Sequence, residues 1–252
     1  MNVIAISNQK GGTAKTTTAA ALAVLLSRTG LRVHLVDSDP QASLTTAFGL
    51  SDPRGLLYEA VCCRGPLPLV SLTENLSVSP SSIDLSRGET QFISEAGREF
   101  ILRDCLQKTD LGEDVTVILD CPPSLGVLSI GCLTAANFAC VVVQPGGFEL
   151  RTLVHLDETM RMLRERVNPR LSVIGAVLTN CHPRRLITEE VRKEVSKYWS
   201  VLGQVRADAR LLYATTSGKV HHLTRSNALQ DYASVANKLR ENLPWLRNRS
   251  AA

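Results

Sequence analysis

The sequence predicts an α/β fold: a doubly wound, mostly parallel sheet flanked by helices, built as a single domain over residues 1–252. Three observations predict it. Short apolar runs of strand length alternate with longer helix-patterned stretches, the order that builds a parallel sheet covered on both faces. Several of those runs end in a glycine-containing turn or in acids, and open parallel sheets bind ligands at such strand ends. A chain of 252 residues is also long enough for one sizeable core.

The first run, Val3 to Ile6, reads as a buried strand, and Thr17 to Ser27 reads as a helix stopped at Gly30. Between them lies Asn8-Gln9-Lys10-Gly11-Gly12-Thr13-Ala14-Lys15-Thr16-Thr17. A glycine-bearing turn between a strand and a helix, ending in Lys-Thr, is a phosphate cradle. Its backbone N–H groups and the helix N-terminus face phosphate oxygens, Lys15 reaches the β- and γ-phosphates, and the Thr16 hydroxyl sits on Mg²⁺. The strict phosphate-loop pattern is not met, because Gln9 and Ala14 stand where it has glycines. Gly11 and Gly12 still supply permissive backbone, and alanine is the smallest replacement for glycine.

Leu31 to Val36 is a second buried strand, running into Asp37-Ser38-Asp39-Pro40-Gln41. Two acids at a strand end approach phosphates held by the first loop, although two acids before a proline also make a plain turn. Residues 49–75 read as loops around one short helix near 55–61. Leu76 to Ser82 alternates like a strand, and Glu89 to Gln107 has a helical pattern. Val115 to Asp120 is another buried strand ending in an acid, followed by Cys121-Pro122-Pro123-Ser124. Further strands are expected at Cys140 to Val143, Ser172 to Asn180 and Val201 to Val205. Helices are expected at Leu150 to Arg166 and Thr188 to Tyr198, with a closing helix from Asp231 to Arg249 broken near Pro244.

The string Lys-Gly-Gly-x-x-Lys-Thr resembles the deviant Walker A phosphate loop of the ParA/MinD family of ATPases. Asp37-x-Asp39-Pro-Gln and Asp120-x-Pro-Pro-Ser resemble that family's second nucleotide motif and its Walker B turn. The resemblance spans nearly the whole chain and implies a P-loop NTPase with ATP and Mg²⁺ as cofactors. It assigns Lys10, Gly11, Gly12, Thr13, Ala14, Lys15, Thr16, Thr17, Pro123 and Asn180 to nucleotide binding, Asn180 reading the adenine. It assigns Thr16, Asp39 and Asp120 to the metal, with Asp37 supporting the metal and water network. Lys10, Lys15 and Asp39 become the catalytic residues: Asp39 positions the attacking water, and Lys10 reaches across an ATP-dependent homodimer to the partner's nucleotide.

Charge is unevenly spread. From Arg184 onward there are 13 Lys and Arg against 6 Asp and Glu, whereas residues 1–183 carry 15 against 18. A polyanion partner and a solvated, ion-paired basic face both fit this pattern. By resemblance to DNA-binding members of the family, Arg184, Arg185, Arg192, Arg210 and Lys219 are candidate contacts to nonspecific double-stranded DNA, through phosphates rather than bases. Ala207-Asp208 departs from the Arg-Asn usual in the family before Arg210.

The seven cysteines form no Cys-x-x-Cys pair and read as reduced, mostly buried thiols. Met1 leads straight into the first strand and no long apolar run follows, so a cytoplasmic protein without a membrane span is expected, and the resemblance implies that it is nucleoid-associated. The resemblance further implies a ParB-like partner and a role in chromosome or plasmid segregation. A MinD-like membrane ATPase, an iron–sulfur member of the superfamily and a positioning ATPase for another cargo are the other readings. The short apolar cluster Leu243, Trp245 and Leu246, interrupted by proline, fits docking on the domain better than a membrane anchor.

Overall fold

The computed structural model describes residues 1–50, 56–145, 150–182 and 185–246. In chain order the elements are β1 (Asn2–Ser7), α1 (Lys15–Ser27), β2 (Val33–Asp37), α2 (Ser43–Ala47), α3 (Leu56–Cys62), β3 (Val70–Thr73), β4 (Leu76–Ser79), α4 (Leu85–Gln91), α5 (Ile101–Lys108), β5 (Thr116–Asp120), α6 (Val127–Ala135), β6 (Phe138–Val143), α7 (Leu150–Arg166), β7 (Ser172–Cys181), α8 (Leu186–Val195), β8 (Val201–Arg206), α9 (Ala209–Thr216) and α10 (Asn227–Asn242). Short 3₁₀ turns at Phe92–Ser94, Arg98–Phe100, Val220–His222 and Pro244–Leu246 complete the described chain.

All eight strands form one sheet in the order β3-β4-β2-β5-β1-β6-β7-β8, parallel throughout except where β3 runs antiparallel to β4 at one edge. The central strands are apolar on both faces because both are covered. Along β1, Val3 and Ala5 pack into one layer while Ile4 and Ile6 pack into the other. In β6, Ala139, Val141 and Val143 serve the first layer, Cys140 and Val142 the second. The first layer is completed by α3, α5, α6, α7 and α8, and the second by α1, α2, α9 and α10. The fold class is therefore as the sequence predicts: α/β, doubly wound, mostly parallel.

Three differences have local causes. The stretch expected as one helix over Glu89–Gln107 is interrupted: Glu95 is extended at φ −80°, ψ 134°, and Gly97 follows at φ +68°, a conformation that glycine adopts without steric cost. The stretch expected to be loop includes β3, whose four residues pair with β4 and alternate between half-buried and exposed. Helices α2, α6 and α9 are not expected from the sequence. Helix α9 is capped by Asp208, whose Oδ1 accepts from the N–H groups of Arg210 (2.8 Å) and Leu211 (3.2 Å). Asp208 Oδ2 also accepts from Ala228 N at 3.1 Å, tying α9 to the start of α10. The Asp that departs from the family's usual Asn thus has a structural task.

All seven cysteines carry free thiols, and five of them are buried. No helix among the described residues is long and apolar enough to cross a membrane. Leu243 and Leu246 are buried against the second layer, with Trp245 half-buried and tilted onto Phe138 at 4.9 Å.

Candidate functional site

Strands β1, β2 and β5 lie side by side in register, so their carboxyl ends gather at one sheet edge: Asp37 pairs with Asp120, and Asp120 with Ile6. The loop leaving β1 turns over this edge and opens α1. Its conformation is fixed by polar contacts on either side. Asn8 Oδ1 accepts from Lys10 N at 3.0 Å, while Asn8 Nδ2 donates to the carbonyl of Val142 in β6. Thr179 Oγ1, near the end of β7, donates to Thr13 O at 2.8 Å. Asn8 and Thr179 hold the cradle, and the sequence reading gave neither a role. Their signal was weak: single polar residues at the ends of buried strands.

Helix α1 starts at Lys15 with no side-chain cap and no acid in its first turn. Its first N–H groups are left for an anion, and the helix dipole favours negative charge there. The residue before it, Ala14, adopts φ 65°, ψ 32°, the left-handed conformation of the glycine that the strict loop pattern has at this position. Lys15 is only 6 % exposed and donates from Nζ to Lys10 O at 3.1 Å. Burial lowers its pKa, opposed by the nearby carboxylates of Asp120 and Asp39 and by Cys121. Thr16 and Thr17 are half-buried, while Lys10, Gly11 and Gly12 are exposed at the rim.

The carboxylates differ sharply. Asp37 is fully buried, and its Oδ2 accepts from both the N–H (2.8 Å) and the hydroxyl (2.7 Å) of Thr45 in α2. Its other oxygen accepts from Asp39 N at 3.3 Å. Burial pushes its pKa up to about 6, against the lowering effect of Thr45. Asp37 thus holds α2 through Thr45. Asp39 is half-buried and accepts from Gln41 N at 2.9 Å, forming a turn at the pocket wall.

Asp120 is also fully buried, yet neither carboxylate oxygen has a hydrogen-bond partner of normal geometry, although the Thr16 hydroxyl lies near enough to favour the charged form. Burial, then the charge of Asp37, raises its pKa well above the usual carboxylate range, with Thr16 and Lys15 opposing. An orphaned, buried carboxylate beside a lysine and a threonine hydroxyl is a group waiting for a cation. No three His, Cys, Asp or Glu side chains cluster in a metal-binding arrangement among the described residues. That donor set fits Mg²⁺, which takes one or two protein ligands and fills its shell with phosphate and water oxygens.

Beside these groups lies a cavity of about 540 Å³ lined by Gly11 to Thr17, Asp39, Gln41, Ser43, Thr46, Pro123, Leu212, Thr215 and Thr216, with Lys10 and Asp120 outside that lining. The structure therefore brings together the sequence-derived Gly11, Gly12, Thr13, Ala14, Lys15, Thr16, Thr17, Asp39 and Pro123, and adds α2 and α9 as walls. Asn180 sits exposed at φ 50°, its Nδ2 donating to Gln144 Oε1 at 3.2 Å, outside that lining.

The family model described as an AAA domain matches residues 1–173. The Caulobacter vibrioides chromosome partitioning protein ParA is 38 % identical over 205 residues, 79 % of this chain and 77 % of that protein. The Bacillus subtilis sporulation initiation inhibitor protein Soj is 33 % identical over 250 residues, 95 % of this chain and 98 % of that protein. The chain belongs to the ParA/Soj family of partitioning ATPases. A solved structure named as the cobyrinic acid a,c-diamide synthase of Mycobacterium smegmatis, with bound ATP analogue and magnesium, is 32 % identical and superposes with a TM-score of 0.83, covering 99 % of this chain and 97 % of that one.

Among the described residues, the candidate basic residues of this ParA/Soj-family chain are divided between two helices on opposite faces of the sheet. Arg184 lies outside the described residues. Arg185 precedes α8 and Arg192 lies within it, in the first helical layer. Arg210 and Lys219 belong to α9 and the turn after it, in the second layer. Arg192 is engaged by Glu189 through Nε–Oε2 at 2.8 Å and Nη2–Oε1 at 2.5 Å. Lys197 pairs with Glu194, and Arg206 with Asp231. Arg185, Arg210 and Lys219 are exposed and have no carboxylate partner among the described residues.

Proposed function

We propose that the protein is an ATP-dependent switch: it binds Mg²⁺-ATP at the β1–α1 loop, dimerises face to face, holds nonspecific double-stranded DNA in that state, and is released by hydrolysis. The observation that carries this reading is the pocket itself. An uncapped helix N-terminus and a buried Lys15 open onto it, and the buried Asp120, its oxygens without a hydrogen-bond partner of normal geometry, lies next to Lys15 and Thr16 of its lining. Together these groups suit a polyphosphate carrying a divalent cation and little else.

When bound, Mg²⁺ withdraws charge from the β- and γ-phosphates. Thr16, through its hydroxyl, and Asp120, through its carboxylate, would hold the metal. Lys15 gives up its contact with the Lys10 carbonyl and turns to phosphate oxygens. Asp39, at the pocket wall, orients the attacking water. Lys10, exposed at the rim, is placed to reach a second copy's nucleotide and stabilise charge on the transferring phosphoryl group. Asn180 is assigned to the adenine.

Arg210 and Lys219, on the α9 side, supply the phosphate contacts to DNA, and pairing two chains multiplies them, so affinity rises in the ATP state. A ParB-like partner that accelerates hydrolysis would make the cycle directional, with the ATP form on the nucleoid and the ADP form in the cytoplasm. The cargo is a chromosome or a plasmid.

Binding of a random-sequence duplex, measured with ATP, ADP or no nucleotide across a salt series, tests the reading. Salt-sensitive binding is expected with ATP alone, and Lys15→Gln should abolish it. Equal DNA binding in all three states, or none in any, would overturn the switch. Lys10→Ala should slow ATP turnover while leaving ATP binding by the monomer unchanged; unaltered turnover removes its role across the dimer.

A further inference from the structure

Helix α9 is a wall shared by two cavities. Leu212, Thr215 and Thr216 line the phosphate pocket. On its adjoining side Arg210, Tyr213, Ala214 and Ser217 line a groove of about 450 Å³, closed by Lys219, His222 and Leu223. The spacing explains the division: positions i, i+3 and i+4 share one side of a helix, so residues 212, 215 and 216 face one way. Residues 210, 213, 214 and 217 face the next. The groove joins two cations without carboxylate partners to Tyr213, which is 69 % exposed.

The end of α9 is also locked to α2. Gly49 follows α2 and Gly218 follows α9, and their backbones touch. A Cβ on Gly218 would lie 2.6 Å from Gly49 Cα, 2.9 Å from Gly49 N and 3.1 Å from Thr46 O. Both residues have φ near +70°, at +73° and +72°. Beside this contact the Phe48 ring stacks on His221 at 5.7 Å, and His221 lies against His222 with ring centroids 3.9 Å apart. Helix α2 in turn carries Ser43 and Thr46 of the phosphate pocket, and Thr45 is held by Asp37. Pocket wall, glycine contact and groove are thus one packed unit.

We propose that α9 transmits nucleotide occupancy to the groove within a single chain, before any dimer forms, and that Tyr213 and His222 join Arg210 and Lys219 in gripping a phosphodiester backbone. Nucleotide in the pocket fixes α2 and the inner side of α9. Through the Gly49–Gly218 contact, that fixes the orientation of the outer side. The ligand named for the groove rests on the DNA-binding reading above; the transmission does not.

Amide hydrogen exchange tests the two parts separately. With ADP, at concentrations where sedimentation shows a monomer, amides across residues 209–222 should exchange at least about tenfold more slowly than without nucleotide. Gly218→Ala forces α2 and α9 apart. It should remove that protection while keeping protection of residues 10–17, and its DNA affinity with ATP should fall to the nucleotide-free level of the wild type. Tyr213→Ala should keep the ADP-induced protection and weaken DNA binding. Unchanged exchange over 209–222 in the wild type overturns the transmission whether or not Gly218→Ala folds. Full ATP-dependent DNA binding by a folded Gly218→Ala does the same. If no nucleotide state of the wild type binds DNA but ADP protects 209–222, the DNA reading and the assigned groove ligand fail while the transmission holds.

Discussion

The two ends of the sheet's carboxyl edge are built on different logic. At β1, β2 and β5, three parallel strands finish side by side, and whatever follows each strand meets over one spot. At β7 and β8 the strands are again neighbours, but α8 crosses back over one face while α9 folds onto the other. Residues far apart in sequence, Lys15, Asp39, Asp120 and Leu212, therefore share a region. Residues close in sequence, Arg192 and Arg210, are placed in separate layers. Strand order gathers motifs; a run of charge is divided by whichever helices carry it.

The largest expected effect sharpens the first half of that comparison. Asp120→Asn keeps the size of the side chain and removes a charge whose burial Lys15 and Thr16 offset only in part. The unliganded protein should then gain stability, because a neutral amide costs less to bury than a carboxylate. Mg²⁺-dependent nucleotide affinity should fall by roughly a hundredfold or more, about 2.7 kcal/mol. Thermal unfolding without nucleotide, together with calorimetric titration of a nonhydrolysable ATP analogue with and without Mg²⁺, reads both. An unchanged Mg²⁺ dependence would remove Asp120 from the metal site.

The second half is tested on the two helices. Arg210→Ala and Lys219→Ala should each weaken ATP-dependent DNA binding by roughly tenfold and lower the salt slope by about one. Arg192→Ala should change affinity less than about twofold, because Glu189 already engages the guanidinium through two bonds. Equal losses from both helices would mean that DNA reaches both sides of the sheet and that the Arg192–Glu189 pair opens on binding.

The same contrast explains what was legible in the sequence. Apolar runs such as Thr116-Val117-Ile118-Leu119 have one physical reading, a strand covered on both faces, and the acids after them were correctly placed at its end. The phosphate loop was legible because its glycines, Lys15 and Thr16 are adjacent along the chain. Asn8 and Thr179 were not, since their importance lies in carbonyl partners contributed by strands far away in sequence. Helix α9 was missed as a pocket wall because its eight residues carry a mixed pattern and its position is set by Asp208, Asp37 by way of Thr45, and the Gly49–Gly218 contact. The ion pairing of Arg192 follows from a Glu three residues earlier, yet a spacing alone does not say whether the pair forms.

Strand β2 offers a smaller test of the site end. His34 is buried between the hydroxyls of Ser77 and Ser79, at 2.9 Å from each, and burial depresses its pKa to about 4. The unfolded chain binds a proton at His34 that the folded chain refuses, so this residue makes stability rise with pH between about 4 and the usual value near 6.5. Asp37, three residues on, does the reverse. Its folded pKa of about 6 lies above the ordinary carboxylate value near 3.8, so the folded chain binds the extra proton and stability falls as pH rises through that window. The two slopes oppose each other. Without nucleotide, the double variant Asp37→Asn/Asp120→Asn, which also removes the raised carboxyl of Asp120, should leave stability rising with pH between 4 and 6, and His34→Gln alone should leave it falling. Denaturant unfolding at a series of pH values reads the sign directly, and like signs in the two variants would refute the assignment.

The smallest expected effect is at Ala14. Its φ of 65° costs an L-residue about 1 kcal/mol relative to glycine. Ala14→Gly removes that strain but gives the unfolded chain more freedom, which costs about 0.4–1 kcal/mol. The terms nearly cancel, so stability should move by less than about 0.5 kcal/mol. Nucleotide affinity should also stay within about twofold, because the loop's backbone is already in the conformation a glycine would take. A substantial loss of affinity would show that the alanine methyl packs against the phosphates, a contribution that backbone geometry alone does not contain. Two neighbouring positions of one loop would then differ in kind: Lys15 important for its charge, Ala14 for its shape.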